Sequence, residues 1–181
     1  MRSRTSTWFE TKIKFQKLMD TGEMKKVTET YVVDALSFSE AESSIIKEMA
    51  DYISGDMEIS GDMEVKAIKI APYGEVFISD VDNEDKWYKV KIALITIDEK
   101  TEKEKKNNIY YLVQGSSVEN AKKNVDEVFS TSMMDYSVVS ISETDVMDVF
   151  EHQNTVRKDI DKTEVSEETN STPFVPNAPN Q

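Results

Sequence analysis

The sequence predicts an α+β fold in which tandem duplicated β-β-α-β units form one mixed sheet with two helices on one face, followed by a disordered C-terminal tail. Internal repetition is the first observation behind this. Trp8-Phe9-Glu10-Thr11-Lys12-Ile13 returns as Trp87-Tyr88-Lys89-Val90-Lys91-Ile92. Tyr31-Val32-Val33-Asp34-Ala35-Leu36-Ser37 returns as Tyr111-Leu112-Val113-Gln114-Gly115-Ser116-Ser117, and Ala41 returns as Ala121. The spacings are 79 and 80 residues, and the two tryptophans take equivalent places. Repetition at a fixed period sets an architecture before any single motif does. The second observation is a periodicity that switches from two to 3.6 within each unit. The third is a change of composition after Gln153.

The first unit spans residues 7–78. Trp8 to Phe15 alternates like a strand, with Phe9, Thr11, Ile13 and Phe15 on one side and Trp8, Glu10, Lys12 and Lys14 on the other. Asp20-Thr21-Gly22 reads as a turn and Val27 to Asp34 as a second strand. Ser37 followed by Glu40 is a capping box. The helix behind it carries an inward stripe of Ala41, Ile45, Met49 and Tyr52. Val65 to Ile70 closes the unit as a strand.

The second unit spans residues 86–150 in the same order. Trp87 to Ile97 is its first strand, Asp98 to Asn108 a charged turn, and Ile109 to Gln114 its second strand. Ser116 and Ser117 cap a helix with Ala121, Val125, Val128 and Phe129 inward. Val138 to Ser142 is the last strand, and Val146 to Phe150 reads as one more turn of helix. Ser54-Gly55-Asp56-Met57-Glu58-Ile59, repeated at once as Ser60-Gly61-Asp62-Met63-Glu64-Val65, reads as an exposed loop. Ser79 to Asp85 is an acidic linker. It resembles the start of a calcium loop but lacks the glycine and the closing carboxylate that such a loop requires. Residues 153–181 are rich in Ser, Thr, Asn, Glu and Pro and read as a disordered tail. Within it, Phe174 and Val175 offer an apolar anchor for a partner.

The 181 residues carry a net charge of −13. That argues against simple adhesion to nucleic acid or an anionic membrane. The charge is uneven, however. Residues 1–31 and residues 86–106 each hold seven Lys/Arg against four Asp/Glu. With no cysteine, disulfides, Cys-ligated zinc, iron–sulfur clusters and thiol nucleophiles are excluded, in keeping with a reducing cytosol. No apolar run approaches the roughly 20 residues of a membrane span. The first seven residues have two arginines but no apolar stretch behind them, unlike a secretory signal.

A one-sided sheet leaves its other face open, and strand parity puts Trp8, Lys12, Lys14, Trp87, Lys89 and Lys91 there. Indoles stack on unpaired bases and ammonium groups track phosphates. The commoner role of a tryptophan is to be mostly buried, with the lysines merely solvated. The single histidine, His152, stands beside the tail. No phosphate loop, nucleophile elbow or dinucleotide fingerprint occurs. The chain therefore reads as a non-enzyme without cofactor or metal.

Trp8-Phe9-Glu10-x-Lys12-Ile13, Val33-Asp34-Ala35-Leu36-Ser37-Phe38-x-Glu40-Ala41-Glu42, Ile53-Ser54-Gly55, Trp87-Tyr88-Lys89-x-Lys91, Asp98-Glu99-Lys100, Ser142-Glu143-Thr144 and Met147-Asp148-Val149 together resemble a domain-of-unknown-function family of gut Bacteroidales and their tailed phages. The resemblance covers about residues 7–150. The doubled Ser-Gly-Asp-Met-Glu segment and the tail depart from it. It implies a small protein of the bacterial host cytoplasm, encoded by a phage, and no catalytic residues. The resulting expectation is a single-stranded DNA- or RNA-binding protein serving phage replication or recombination. The acidic tail from Asp159 would compete for the basic face and recruit partners. The alternative is a protein-interaction module, a phage assembly factor or an inhibitor of a host protein, engaged through the sheet face or the tail.

Overall fold

Period-two alternation over long stretches makes most of the chain strand. In the computed structural model, which describes residues 2–55, 59–98, 102–130 and 132–151, the elements in order are β1 (Arg2–Thr5), β2 (Trp8–Leu18), β3 (Met24–Asp34), α1 (Phe38–Gly55), β4 (Ile59–Ile70), β5 (Tyr73–Ile78), β6 (Lys86–Ile97), β7 (Glu104–Gly115), α2 (Val118–Phe129), β8 (Asp135–Glu143) and β9 (Val146–Phe150). The expected tail, with Phe174, lies outside the described residues. No described helix is long and apolar enough to cross a membrane.

Each half holds an antiparallel hairpin, β2–β3 or β6–β7, whose first strand also pairs with the strand that follows the helix. The first hairpin turns at Gly22, whose φ of 79° suits glycine alone without strain, and whose N–H donates to the Met19 carbonyl at 2.7 Å. The last strand of each half then leaves for the other. β5 lies parallel on β7 and β9 lies parallel on β3. The two pairings share one register. Val76 faces Leu112 as Val149 faces Val32, and both ladders shift at the same step. Phe77 stacks on Tyr111 at 5.1 Å as Phe150 stacks on Tyr31 at 5.6 Å.

The expected single sheet is therefore corrected to two, ordered β4-β2-β3-β9 and β8-β6-β7-β5-β1. Three cores account for the layering. Phe9, Ile13, Phe15, Tyr31 and Val33 pack with Ala41, Ile45 and Met49 of α1. Phe77, Tyr88, Val90, Ile92 and Val113 pack with Ala121, Val125 and Phe129 of α2. Between the sheets lie Trp8, Val32, Ala71, Tyr73, Val76, Trp87, Leu112 and Val146. The order of layers is helix, sheet, sheet, helix, so the face expected to be open is the middle of the molecule. The physical reason is area. Burying an indole removes about 200 Å² of mostly apolar surface, about 5 kcal/mol at 25 cal/mol per Å². A one-sided sheet would forgo that for both tryptophans.

Other boundaries move too. Val146 to Phe150 is strand β9, not a helical turn, because β3 offers it an edge. The charged turn after Ile97 is shorter than expected, since β7 begins at Glu104. The second copy of the Ser-Gly-Asp-Met-Glu segment is not a loop. It forms the start of β4 against the extended β2, with Ser60 opposite Gln16 and Glu64 opposite Lys14, and two register shifts absorb its extra length. The side chain of Tyr52, expected on the α1 stripe, lies outside those described.

Candidate interaction surfaces

Trp8 and Trp87 retain 1% and 3% of their exposure. Neither indole can receive a base in this fold. Trp8 is also the one buried side chain among those described whose polar atom, Nε1, has no hydrogen-bond partner. The four lysines that share strand faces with the indoles lie further out along the same strands. Lys12 is exposed, and Lys14, Lys89 and Lys91 are half-buried. The fold thus separates the expected site into a buried aromatic pair and peripheral cations.

Glu10 occupies the place on β2 that Lys89 holds on β6. Its carboxylate accepts from the Tyr73 hydroxyl at 2.9 Å and pairs with Lys69. Burial and the Glu10 carboxylate push the Tyr73 phenol far above its ordinary range, so it stays a donor. In the second half, Lys89 and Lys91 each stand 5.9 Å from the centre of the Tyr110 ring. The aromatic group beside them is therefore Tyr110, directly across the ladder from Lys91. Sequence reasoning missed it because hairpin register, not spacing along one strand, places it there.

At the outer end of the first hairpin, Lys14, Phe15, Gln16, Lys26 and Glu64 line a shallow depression of about 210 Å³. A hydrogen bond from Lys66, 2.6 Å away, holds the Glu64 carboxyl below its ordinary pKa, and the charges of Lys14 and Lys26 add to this. Glu64 offsets part of the positive charge there.

The two helix shoulders differ more sharply. Both helices start alike. The Leu36 N–H donates to Glu40 Oε2 at 2.8 Å and the Glu40 N–H to Ser37 Oγ at 3.2 Å, so the expected capping box forms. The Ser116 N–H donates to Asn120 Oδ1 at 2.9 Å and the Asn120 N–H to Ser117 Oγ at 3.1 Å. Residues 79–85 then lie against the first turns of α2. Glu84 is buried, and Nδ2 of Asn120 and of Asn124 each donate to its carboxylate at 2.8 Å. Burial opposes its ionisation, but the hydrogen bonds from Ser79, Asn120 and Asn124 outweigh that and hold its pKa below 4.5. The Ser79 N–H donates to Gln114 Oε1 at 3.0 Å. The acidic linker is thus built into the second half.

The residues before β2 do nothing of the kind for α1, because they depart as β1 to pair with β5. Leu36 is 87% exposed, Phe38 51% and Ile70 60%. Phe38 meets Phe9 edge-on at 5.1 Å, and Ile70 faces Phe9 across the ladder, so the two flank one buried ring. The corresponding residues of the second half are Ser116, Val118 and Glu143, and Glu143 is paired with Lys86 at 3.1 Å. The signal for this shoulder was present in the sequence. Apolar Leu36 and Phe38 flank the cap Ser37, where Ser116 and Val118 flank Ser117.

Among the described residues no three His, Cys, Asp or Glu side chains gather as a metal site. His152 lies outside the described residues. The profile of one family, a domain of unknown function (DUF4494), matches residues 7–152, and the chain belongs to that family. No curated protein and no solved structure matches the chain.

Proposed function

We propose that this member of the family is a non-enzymatic protein-interaction module whose contact surface is the α1 shoulder. One observation carries the reading. Leu36, Phe38 and Ile70 stand exposed where the second half has Ser116, the smaller and also exposed Val118, and the ion-paired Glu143, with a segment of its own chain laid against the helix. Exposed apolar side chains flanking one buried ring on an acidic protein mark a surface that a partner covers. Incorporating a photo-crosslinking amino acid at position 36, with position 116 as the matched control, tests it in the host cell. Discrete adducts at 36 and none at 116 are expected. Equal labelling at both positions would remove the reading.

A second reading keeps single-stranded nucleic acid as the ligand, and the placement of Lys12, Lys14, Lys26, Lys89 and Lys91 on the hairpins favours it. Affinity would then come from phosphate contacts, with Tyr110 as the available ring and no stacking on Trp8 or Trp87. Gel-shift against single-stranded DNA at about 50 mM salt tests this. Lys12→Ala and Lys91→Ala should each lower the log–log salt slope by about 0.7. No shift of wild-type protein at that salt ends this reading.

The same proposal includes descent of the two halves from one duplicated unit, since their pairing registers correspond strand by strand. It also includes a cytoplasmic setting in a Bacteroidales host or one of its tailed phages.

A further inference from the structure

The five-stranded sheet ends on β1, whereas the four-stranded sheet ends on β9. β1 lies antiparallel on β5, with Thr5 opposite Glu75 and Arg2 opposite Ile78. Because β5 sits on β7 in the register that β9 takes on β3, Glu75 corresponds to Asp148 and the outer edge of β5 to the outer edge of β9. That second edge is unpaired among the described residues. The reason is covalent. The residues before β6 run from Ile78 to Lys86, both in the five-stranded sheet, and Glu84 ties them to α2. They cannot also lie beside β9.

We infer that the free edge of β9 is a strand-addition site for an extended segment of a partner protein bearing basic and hydroxyl residues, laid antiparallel as β1 is laid on β5. An unpaired edge offers a row of main-chain donors and acceptors to such a segment. The chemistry of the occupant comes from β1 and from charge. Thr5 Oγ1 donates to Glu75 Oε1 at 2.5 Å. Asp148, in the corresponding place, is exposed and accepts from the Val149 N–H at 2.7 Å, with no cation beside it among the described residues. Glu151 at the end of the edge is already paired with Arg2 at 2.5 Å. Asp148 is therefore the acid that a hydroxyl or a cation on the incoming strand would meet.

The chain's own β1 supplies the probe: the peptide Met-Arg-Ser-Arg-Thr-Ser-Thr, titrated to millimolar concentration against the full-length, isotope-labelled protein. Amide resonances of Val146 to Phe150 should shift and saturate. Asp148→Lys, whose fold is verified by unchanged β2 and β6 resonances, should weaken the effect by roughly tenfold, the worth of one charge-assisted hydrogen bond. A peptide with glutamates for the arginines should leave β9 unmoved. Absence of any β9 shift overturns the inference, as do equal shifts with the glutamate peptide or shifts confined to β5. If deleting residues 153–181 alone moves the β9 resonances, the occupant is the chain's own tail and the partner assignment fails. Dimerisation that moves them assigns a second copy and overturns it likewise.

Discussion

The N-terminal and C-terminal halves share element order, ladder register and helix caps, yet a linker lies against the helix in one and not in the other. In the second half the segment preceding the hairpin folds onto α2, where Glu84 satisfies two asparagines. In the first half the same stretch of chain departs as β1 and leaves Leu36, Phe38 and Ile70 uncovered. What the two halves have in common is therefore what the fold needs. What differs between them is where the chain is free to meet something else. The lysine faces belong partly to each class: they flank the shared inter-sheet core but project beyond it.

The shared core predicts the largest effects. Trp8→Ala and Trp87→Ala should each destabilise by about 3–5 kcal/mol, the usual cost of emptying a buried aromatic site. Urea denaturation should give similar values for both. A variant that unfolds no earlier than wild type would break the equivalence of the halves and restore the indoles as ligand contacts. Ile45→Ala under α1 and Val125→Ala under α2 should follow, at about 2–4 kcal/mol, and thermal melts against a surface control check them.

The unshared linker comes next. Glu84→Gln leaves the two asparagine amides facing an amide and should cost about 1–3 kcal/mol. Its pH dependence has a definite sign. The folded-state pKa of Glu84 is lowered, so its contribution is complete above the unfolded value near 4.5 and is lost as pH falls through the folded one. Wild type should therefore lose stability below about pH 4.5 more steeply than Glu84→Gln. Parallel losses in an acid titration followed by circular dichroism would show that the linker does not matter to the second half.

The shoulder predicts the smallest effect on stability and the clearest effect on binding. Converting Leu36→Ser and Ile70→Glu, the residues of the second half, should change stability by under about 0.5 kcal/mol, as exposed sites do. The same pair should abolish crosslinking from a probe at position 38. A large loss of stability would mean that the shoulder belongs to the core after all.

Much of this fold was legible residue by residue. The alternation Phe9, Ile13, Phe15 and the stripe Ala41, Ile45, Met49 place those side chains correctly under α1, and Tyr88, Val90, Ile92, Ala121 and Val125 do the same under α2. Ser37 with Glu40, and Ser117, start the helices where the capping rules put them. These are local properties, set by a period of two or 3.6 and by hydrogen bonds a few residues long. The site was less legible. Parity correctly grouped Trp8 with Lys12 and Trp87 with Lys89, but it says only that residues share a face, never what covers that face. Two further strands, β1 and β5, and the strand character of β9 were missed for the same reason. A stretch of four to six residues becomes a strand when an edge is offered to it; the edges of β7 and β3 come from the opposite half of the chain, and β1 in turn depends on β5. The sequence by itself determined the helices, the hairpins and their helix-facing sides. Only the tertiary structure decided that β5 and β9 cross over, that the sheets close face to face on the two indoles, and that β5 gains an outer partner in β1 while β9 gains none among the described residues. Those outcomes depend on contacts between residues far apart in the chain, which no local periodicity encodes.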